Sequence, residues 1–280
     1  MPSIHPTAII EEGARVAYDV VIGPYCVIGP NVTLEKGVTL KGHVWIEGHT
    51  TLHEGVTIYP GAVIGTKTQD KKFQGEKTFV DIGKNTEIRE CCTINSSCQE
   101  GTTVKVGENC LLMAYCHVAH NCEVGNDVIM SNNATLAGHV IVEDHVVIGG
   151  LSGVHQFCRI GRHAMVGGMS RISHDIPPFT IGGGMPYRLG GLNLIGLKRR
   201  GIPLQTRKLL AAAFRLLYRS GLGVKDALQA IEATVEPIEE VVQFLQFCRA
   251  SKRGLIGLTQ EEIVVEQKEE ETAKQALAPA

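Results

Sequence analysis

The chain has almost no net charge: 27 Lys and Arg against 29 Asp and Glu leave −2 at pH 7. That excludes a general attraction to phosphate backbones or anionic membranes, so no nucleic-acid partner is expected and any anionic ligand must be held by a local cluster. No segment approaches the roughly 18 continuous apolar residues of a membrane span. The start, MPSIHPTAII, lacks a basic region followed by an apolar stretch, so no membrane insertion is expected and the chain reads as cytoplasmic. Nine cysteines are present, an odd number in a chain of 280 residues without an export signal, which points to reduced thiols rather than a disulfide framework.

What the sequence does have is a six-residue period. Stepping by six from Ile4 to Ile172 gives 29 positions, of which 26 are aliphatic or Met; the exceptions are Asp70, Glu76 and Glu100. Four residues after each aliphatic comes a second restricted column, including Ala8, Val20, Cys26, Val32, Cys110, Cys116, Cys122 and Ala134. Two residues after each aliphatic, Pro, Gly and polar residues recur. No helix of 3.6 residues per turn keeps a six-residue stripe on one face over this length, and simple strand alternation does not place turn residues so regularly. Short strands wound into a solenoid satisfy both. The pattern resembles the hexapeptide repeat of the left-handed parallel β-helix, a mainly β fold with three hexapeptides, or 18 residues, per triangular coil. Nine to ten coils at about 4.8 Å would make a prism roughly 45 Å long.

The series is interrupted at about 66–81 and 96–105, both polar and expected to project as loops from a β-helix of residues 1–176. Residues 177–202 form a Gly- and Pro-rich linker ending in the basic LKRRG. Helical periodicity over 203–258 predicts a small α-helical C-terminal domain that caps the solenoid. The charged, Ala-rich segment 259–280 is expected to be a disordered tail.

The repeat sorts the reactive residues. Cys26, Cys92, Cys98, Cys110, Cys116, Cys122 and Cys158 share the inward phase, where a thiol acts as a small apolar filler. His120 is instead two residues after Val118, in the outward column. Gly138 and Gln156 follow it by 18 and 36 residues and should stack on it, with Asn121, His139 and Phe157 in the adjoining column. A proton acceptor beside hydrogen-bond donors is what acyl transfer to a hydroxyl needs. The alternative, scattered surface polar residues, is left open by periodicity alone. A zinc site among His117, His120, His139, His145, His155 and His163, as in the related γ-class carbonic anhydrases, does not match the ligand spacing of that class, and no metal is expected.

The motifs QDKKFQGE, HVAHNC, NNATLAGHV, GVHQF, MVGG and LNLIGLKRRG, in this order, are more specific than the repeat. Together they resemble the UDP-N-acetylglucosamine O-acyltransferase family across the chain to about Gly257. The resemblance implies a homotrimer moving a fatty acyl group, typically 3-hydroxylated, from the phosphopantetheine thioester of acyl carrier protein to the sugar 3-hydroxyl, with no bound cofactor. It implies His120 as general base and Gly138 as N–H donor to the thioester oxygen. Asp70, Lys72, His117, His139, His155, Gln156, Asn193, Arg199 and Arg200 would bind substrates or carrier protein. Gly168 would leave the acyl groove open for about 12 to 14 carbons, each buried methylene contributing about 0.8 kcal/mol.

Three departures from that pattern stand out. Asn121 stands where an Asp is usual, Ile195 replaces a Glu, and GGGMPYR replaces a Gly-Asn-Pro. The alternatives are the sister N-acyltransferase of the same pathway, transfer to a 3-amino sugar, and a non-catalytic trimeric scaffold.

Overall fold

The computed structural model describes residues 1–257, so the expected tail lies outside the described residues. The six-residue period folds into a three-sided prism of very short parallel strands. Ser3–Ile4 pairs with Val21–Ile22, an offset of 18, so each side of the prism repeats once per coil. From Val21–Ile22 onward, the second residue of each two-residue strand points inward and is buried, as at Ile22, Ile28 and Leu40, while the first is more exposed. These aliphatics and the small residues four positions later form one continuous apolar cluster along the prism axis. Fully burying an aliphatic side chain is worth about 1.5–3 kcal/mol, which is the main force holding the coils.

Most corners turn through one residue in the left-handed region, three after the aliphatic. Glycine takes this place at Gly37, Gly55 and Gly61, and Asn, Asp or His at Asn109, Asp127, His139, His145 and His163, with φ between 54° and 62°. Even Tyr25, Tyr115, Leu151, Phe157 and Met169 adopt it, at a cost of order 1 kcal/mol each. The residue just before, two after the aliphatic, gives its N–H to no backbone carbonyl, which is why Pro24, Pro30 and Pro60 fit there.

Both interruptions project from the prism. The first leaves after Val63–Thr66 and returns at Phe79–Ile82; the second leaves after Thr93–Asn95 and returns at Thr103–Val106. Each is a few residues shorter than the sequence pattern suggested, because the flanking strands lengthen and pair four residues deep, Phe79–Ile82 with Thr103–Val106. Across the first insertion Thr57 pairs with Glu87, and across the second Glu87 pairs with Leu111, offsets of 30 and 24 in place of 18. Both insertions are therefore multiples of six, and the aliphatic series resumes in phase.

The two ends differ. At the start Ile4 and Ile9 are 42% and 58% exposed, since no earlier coil covers them. At the other end Tyr187 and Ile256 close the prism core. Residues 177–202 are more ordered than a linker: Thr180–Gly183 and Arg188–Leu192 form an antiparallel hairpin on the last coil, followed by helix α1, Leu194–Arg199. Helices α2 (Leu204–Arg219), α3 (Val224–Thr234) and α4 (Glu239–Arg249) then pack a second core around Phe179, Leu210, Ile231 and Phe244. Asp175 ties this unit to the prism, accepting the Arg159 N–H and the Ser251 hydroxyl at 2.8 and 2.7 Å.

Candidate active site

Call the three edges of the prism the first, second and third corner, following the faces that contain Ile4, Ile10 and Val16. The second corner carries Ala119-His120-Asn121, then Ala137-Gly138-His139, then His155-Gln156-Phe157 on successive coils. The stacking is direct: the His139 N–H donates to the His120 carbonyl at 3.0 Å, and the Phe157 N–H to the Gly138 carbonyl at 3.1 Å. The His139 ring meets the His120 ring edge-on at 5.1 Å and lies flat on Phe157 at 4.6 Å. Gly138 sits against the His120 imidazole so closely that any Cβ there would overlap the ring. Its N–H makes no backbone hydrogen bond among the described residues, as the corner geometry dictates.

Asn121 holds the His120 ring. Its Nδ2 donates to the Thr102 hydroxyl at 3.3 Å, which turns Oδ1 toward His120 Nδ1 at 3.1 Å. The Cys98 backbone N–H and thiol also converge on that oxygen, at 3.3 and 2.9 Å. An amide oxygen only accepts, so His120 donates from Nδ1 and its Nε2 keeps a free lone pair. The neutral amide thus fixes the tautomer that the absent carboxylate would have fixed. The second loop supplies the support, since Thr102 is itself tied to Ser97 Oγ and the Gln99 carbonyl, each at 2.6 Å.

The first loop brings a charge. Asp70 is held below the usual carboxylate range, chiefly by the Lys72 N–H at 2.9 Å and further by the His120 and His139 imidazoles. Burial, then His120, lowers His117, whose Nδ1 lies 2.7 Å from the Thr93 hydroxyl. Burial, then His120, also lowers His139, with Asp70 opposing. Both imidazoles beside His120 therefore favour the neutral form, and the negative charge at this corner comes from the loop. Beside the column runs a groove of about 900 Å³, from Thr103 and Asn121 past His139, Ile141 and Phe157 to Arg253. Arg253 reaches within 3.2 Å of His155 Nδ1.

Asp70, His117, His120, Gly138, His139, His155 and Gln156 thus gather at one corner, with Lys72 exposed on the adjoining loop. The remaining candidates do not join them within one chain. Arg200 sits at the third corner, its guanidinium 2.8 Å from His145 Nδ1. Asn193 caps α1 by accepting the Gly196 N–H at 3.1 Å, and donates to the His163 carbonyl at 3.0 Å, so its amide is engaged within the fold. Arg199 and Ile195 are exposed on the same short helix. Gly168 is exposed at the first corner.

Cys98 corrects the inward assignment made from its phase. It lies in the second loop, half-buried, with its thiol on Asn121 rather than in the coil core. Burial, followed by the Asp70 and Glu76 carboxylates, pushes this thiol up. The signal was in the sequence, because Cys98 falls inside the interruption that Glu100 marks. The other six cysteines of the inward column are buried. Thr102, Thr93 and Arg253 carry no repeat signature that singles them out.

Comparisons with known proteins agree with this geometry. The family described as "Udp N-acetylglucosamine O-acyltransferase; Domain 2" matches residues 175–256, and the bacterial transferase hexapeptide repeat matches 1–36 and 103–138. The acyl-[acyl-carrier-protein]–UDP-N-acetylglucosamine O-acyltransferase of Chlamydia abortus is 52% identical over 256 residues, covering 91% of this chain and 92% of that protein. The Acinetobacter baumannii LpxA structure superposes with a TM-score of 0.88 at 40% identity, covering 90% and 99% of the two chains. The UDP-N-acetylglucosamine acyltransferase of Bacteroides fragilis gives 0.87 at 39%, with the same coverage. The prism is accordingly a left-handed β-helix.

Proposed function

The chain belongs to the UDP-N-acetylglucosamine O-acyltransferase family, the acyltransferases of the first step of lipid A biosynthesis, and on that premise we propose that His120 is the general base of the transfer. One observation carries this reading: Asn121 Oδ1 accepts a hydrogen bond from His120 Nδ1, leaving the Nε2 lone pair free on the ring that lies against Gly138. The donor is an acyl chain in thioester linkage to acyl carrier protein; the acceptor is the 3-hydroxyl of UDP-N-acetylglucosamine.

In the reaction His120 Nε2 removes the hydroxyl proton as the sugar oxygen attacks the thioester carbonyl. Negative charge grows on the carbonyl oxygen, and the Gly138 N–H, fixed beforehand by the coil, receives it. The C–S bond then breaks, the C–O ester remains, and the proton on His120 passes to the leaving thiolate. Asp70 faces the imidazolium formed midway and favours it. His117 and His139, kept neutral, offer hydrogen bonds to the sugar and its N-acetyl group without competing for the proton.

The distribution of the other residues supports a homotrimer with sites between subunits. Arg200 and Gly168 stand on the third and first corners, other edges of the prism than the one that carries His120, and Arg200 is engaged there with His145. A neighbouring prism brings its other corners to this one. The exposed apolar side chains Tyr25, Tyr115, Leu151 and Met169 along the first corner, held in left-handed backbone, fit such a contact. In this arrangement Arg199 and Arg200 of one subunit meet phosphate or the acidic carrier protein at the site of the next, and Gly168 leaves room for an acyl chain of about 12 to 14 carbons.

An acyl-transfer assay with carrier-linked chains of several lengths, on the wild type and His120→Ala, tests the reading. Loss of transfer in the variant with the trimer retained is expected. Full activity in the variant removes the base assignment, and activity only toward a 3-amino sugar replaces the hydroxyl acceptor.

A further inference from the structure

Cys98 shares the phase of the core cysteines but lies in the second loop, outside the core. The second loop lays its thiol beside the two imidazoles of the second corner, and one ligand atom each from Cys98, His120 and His139 all lie within 4.8 Å of one another. The three residues come from a loop and two successive coils, so backbone pairing fixes the imidazoles relative to one another while the loop presents the thiol. All three side chains are half-buried.

We propose that this Cys-His-His cluster captures a zinc ion, and that the captured ion shuts the site down by occupying the base. A thiolate with two imidazoles is a soft, nitrogen- and sulfur-rich set that selects zinc over magnesium or calcium. Three protein ligands leave a fourth tetrahedral position for water or for the nearby Asp70 carboxylate. Ligand atoms around tetrahedral zinc stand about 3.3–3.7 Å apart, so the three donors, within 4.8 Å of one another, must close by about an ångström to hold the ion. Asn121 already accepts from His120 Nδ1, the outer hydrogen bond that orients a ligating imidazole with Nε2 toward the metal.

The metal site stands on this geometry; only its effect on turnover rests on the reading of His120 as base. The variant that separates them is Cys98→Ser, which keeps a hydroxyl donor for Asn121 and removes the thiolate. Full-length protein is titrated with cobalt(II) as a spectroscopic probe and, separately, assayed for acyl transfer with added zinc and with chelator. Expected for the wild type are one cobalt per chain with a thiolate-to-cobalt charge-transfer band, and zinc inhibition that chelator reverses. Cys98→Ser lacks the band and, measured against its own zinc-free turnover, needs at least about 100-fold more zinc for the same inhibition, since even outer-sphere losses cost roughly 10–100-fold. A wild type without the band, or a variant inhibited at the same zinc concentration, overturns the site. A band that Cys98→Ser abolishes, with turnover indifferent to zinc, upholds the site and removes the base assignment instead.

Discussion

The second and third corners are built from the same backbone and both stack imidazoles, yet only one of them is open. At the third corner His145 lies flat on His163 at 4.7 Å, and His163 flat on Phe179 at 5.6 Å. Arg200 closes the outside, and carboxylates at Asp127 and Asp144 stand near. Burial first, then His145 and Arg200, lowers His163 to about 4. At the second corner the rings of His120 and His139 meet edge-on, Gly138 leaves room for the His120 ring, and the charge that the loop brings is the carboxylate of Asp70. The two stacks differ in what the neighbouring segment delivers, a helix with arginines in one case and a loop with an aspartate in the other, and on the reading proposed above that difference separates a structural histidine from a chemical one.

The largest expected effect breaks the comparison outright. His120→Ala should lower kcat by about 10³-fold, within the range of general-base removal, while His163→Phe, which keeps a flat ring on Phe179, should leave kcat near the wild-type value. A steady-state assay on both variants decides it; equal losses would mean that the two corners do not differ in kind. Next in size is the junction that the third corner supports. Phe179 is 1% exposed and belongs to the helical core, so Phe179→Ala should cost about 3–5 kcal/mol in denaturant unfolding. The Gly138→Ala substitution acts on the second corner alone. Its Cβ needs no left-handed backbone but overlaps the His120 ring, so the ring must swing off Asn121. Activity should fall by about 10²-fold with little change in Tm, a split that a purely structural glycine would not give.

A smaller effect distinguishes the corners by pH. His163 stays neutral in the fold down to about 4, against an ordinary value of 6.5. Below pH 6.5 the unfolded chain therefore binds the extra proton, and stability falls as pH drops from 6.5 toward 4. The loss is about 2 kcal/mol after allowing for partial exposure. His163→Phe should flatten that stretch of the stability curve, measured by thermal or urea unfolding between pH 7 and 4.5.

Much of this was legible in the sequence, for a physical reason. A solenoid repeats one local solution, so the aliphatic series alone locates the core, and steps of 18 from His120 find Gly138 and Gln156. The same arithmetic hides what is not periodic. An insertion of six residues preserves the phase, which is why Cys98 mimicked a core cysteine. Helix α1 has only six residues, one of them Gly196, too few for periodicity to show, and it depends on the Asn193 cap. The bonds that Thr102 and Arg253 make link segments far apart in the chain, so nothing local announces them.

The smallest predicted effect sharpens what the second corner does without a carboxylate next to His120, the base proposed above. Asn121→Asp leaves an oxygen facing His120 Nδ1 but replaces a neutral acceptor with an anion. The tautomer stays, and the imidazolium formed during transfer is stabilised. The added charge should move the acid limb of the kcat/KM profile to higher pH by about one unit. The amide's donation to Thr102 is lost, so the second loop is held less firmly and turnover at neutral pH should change by less than about tenfold in either direction. A pH–rate profile of the variant against the wild type measures both. An acid limb that does not move would show that Asp70 already supplies the charge this corner needs, and that the amide serves only to hold the ring.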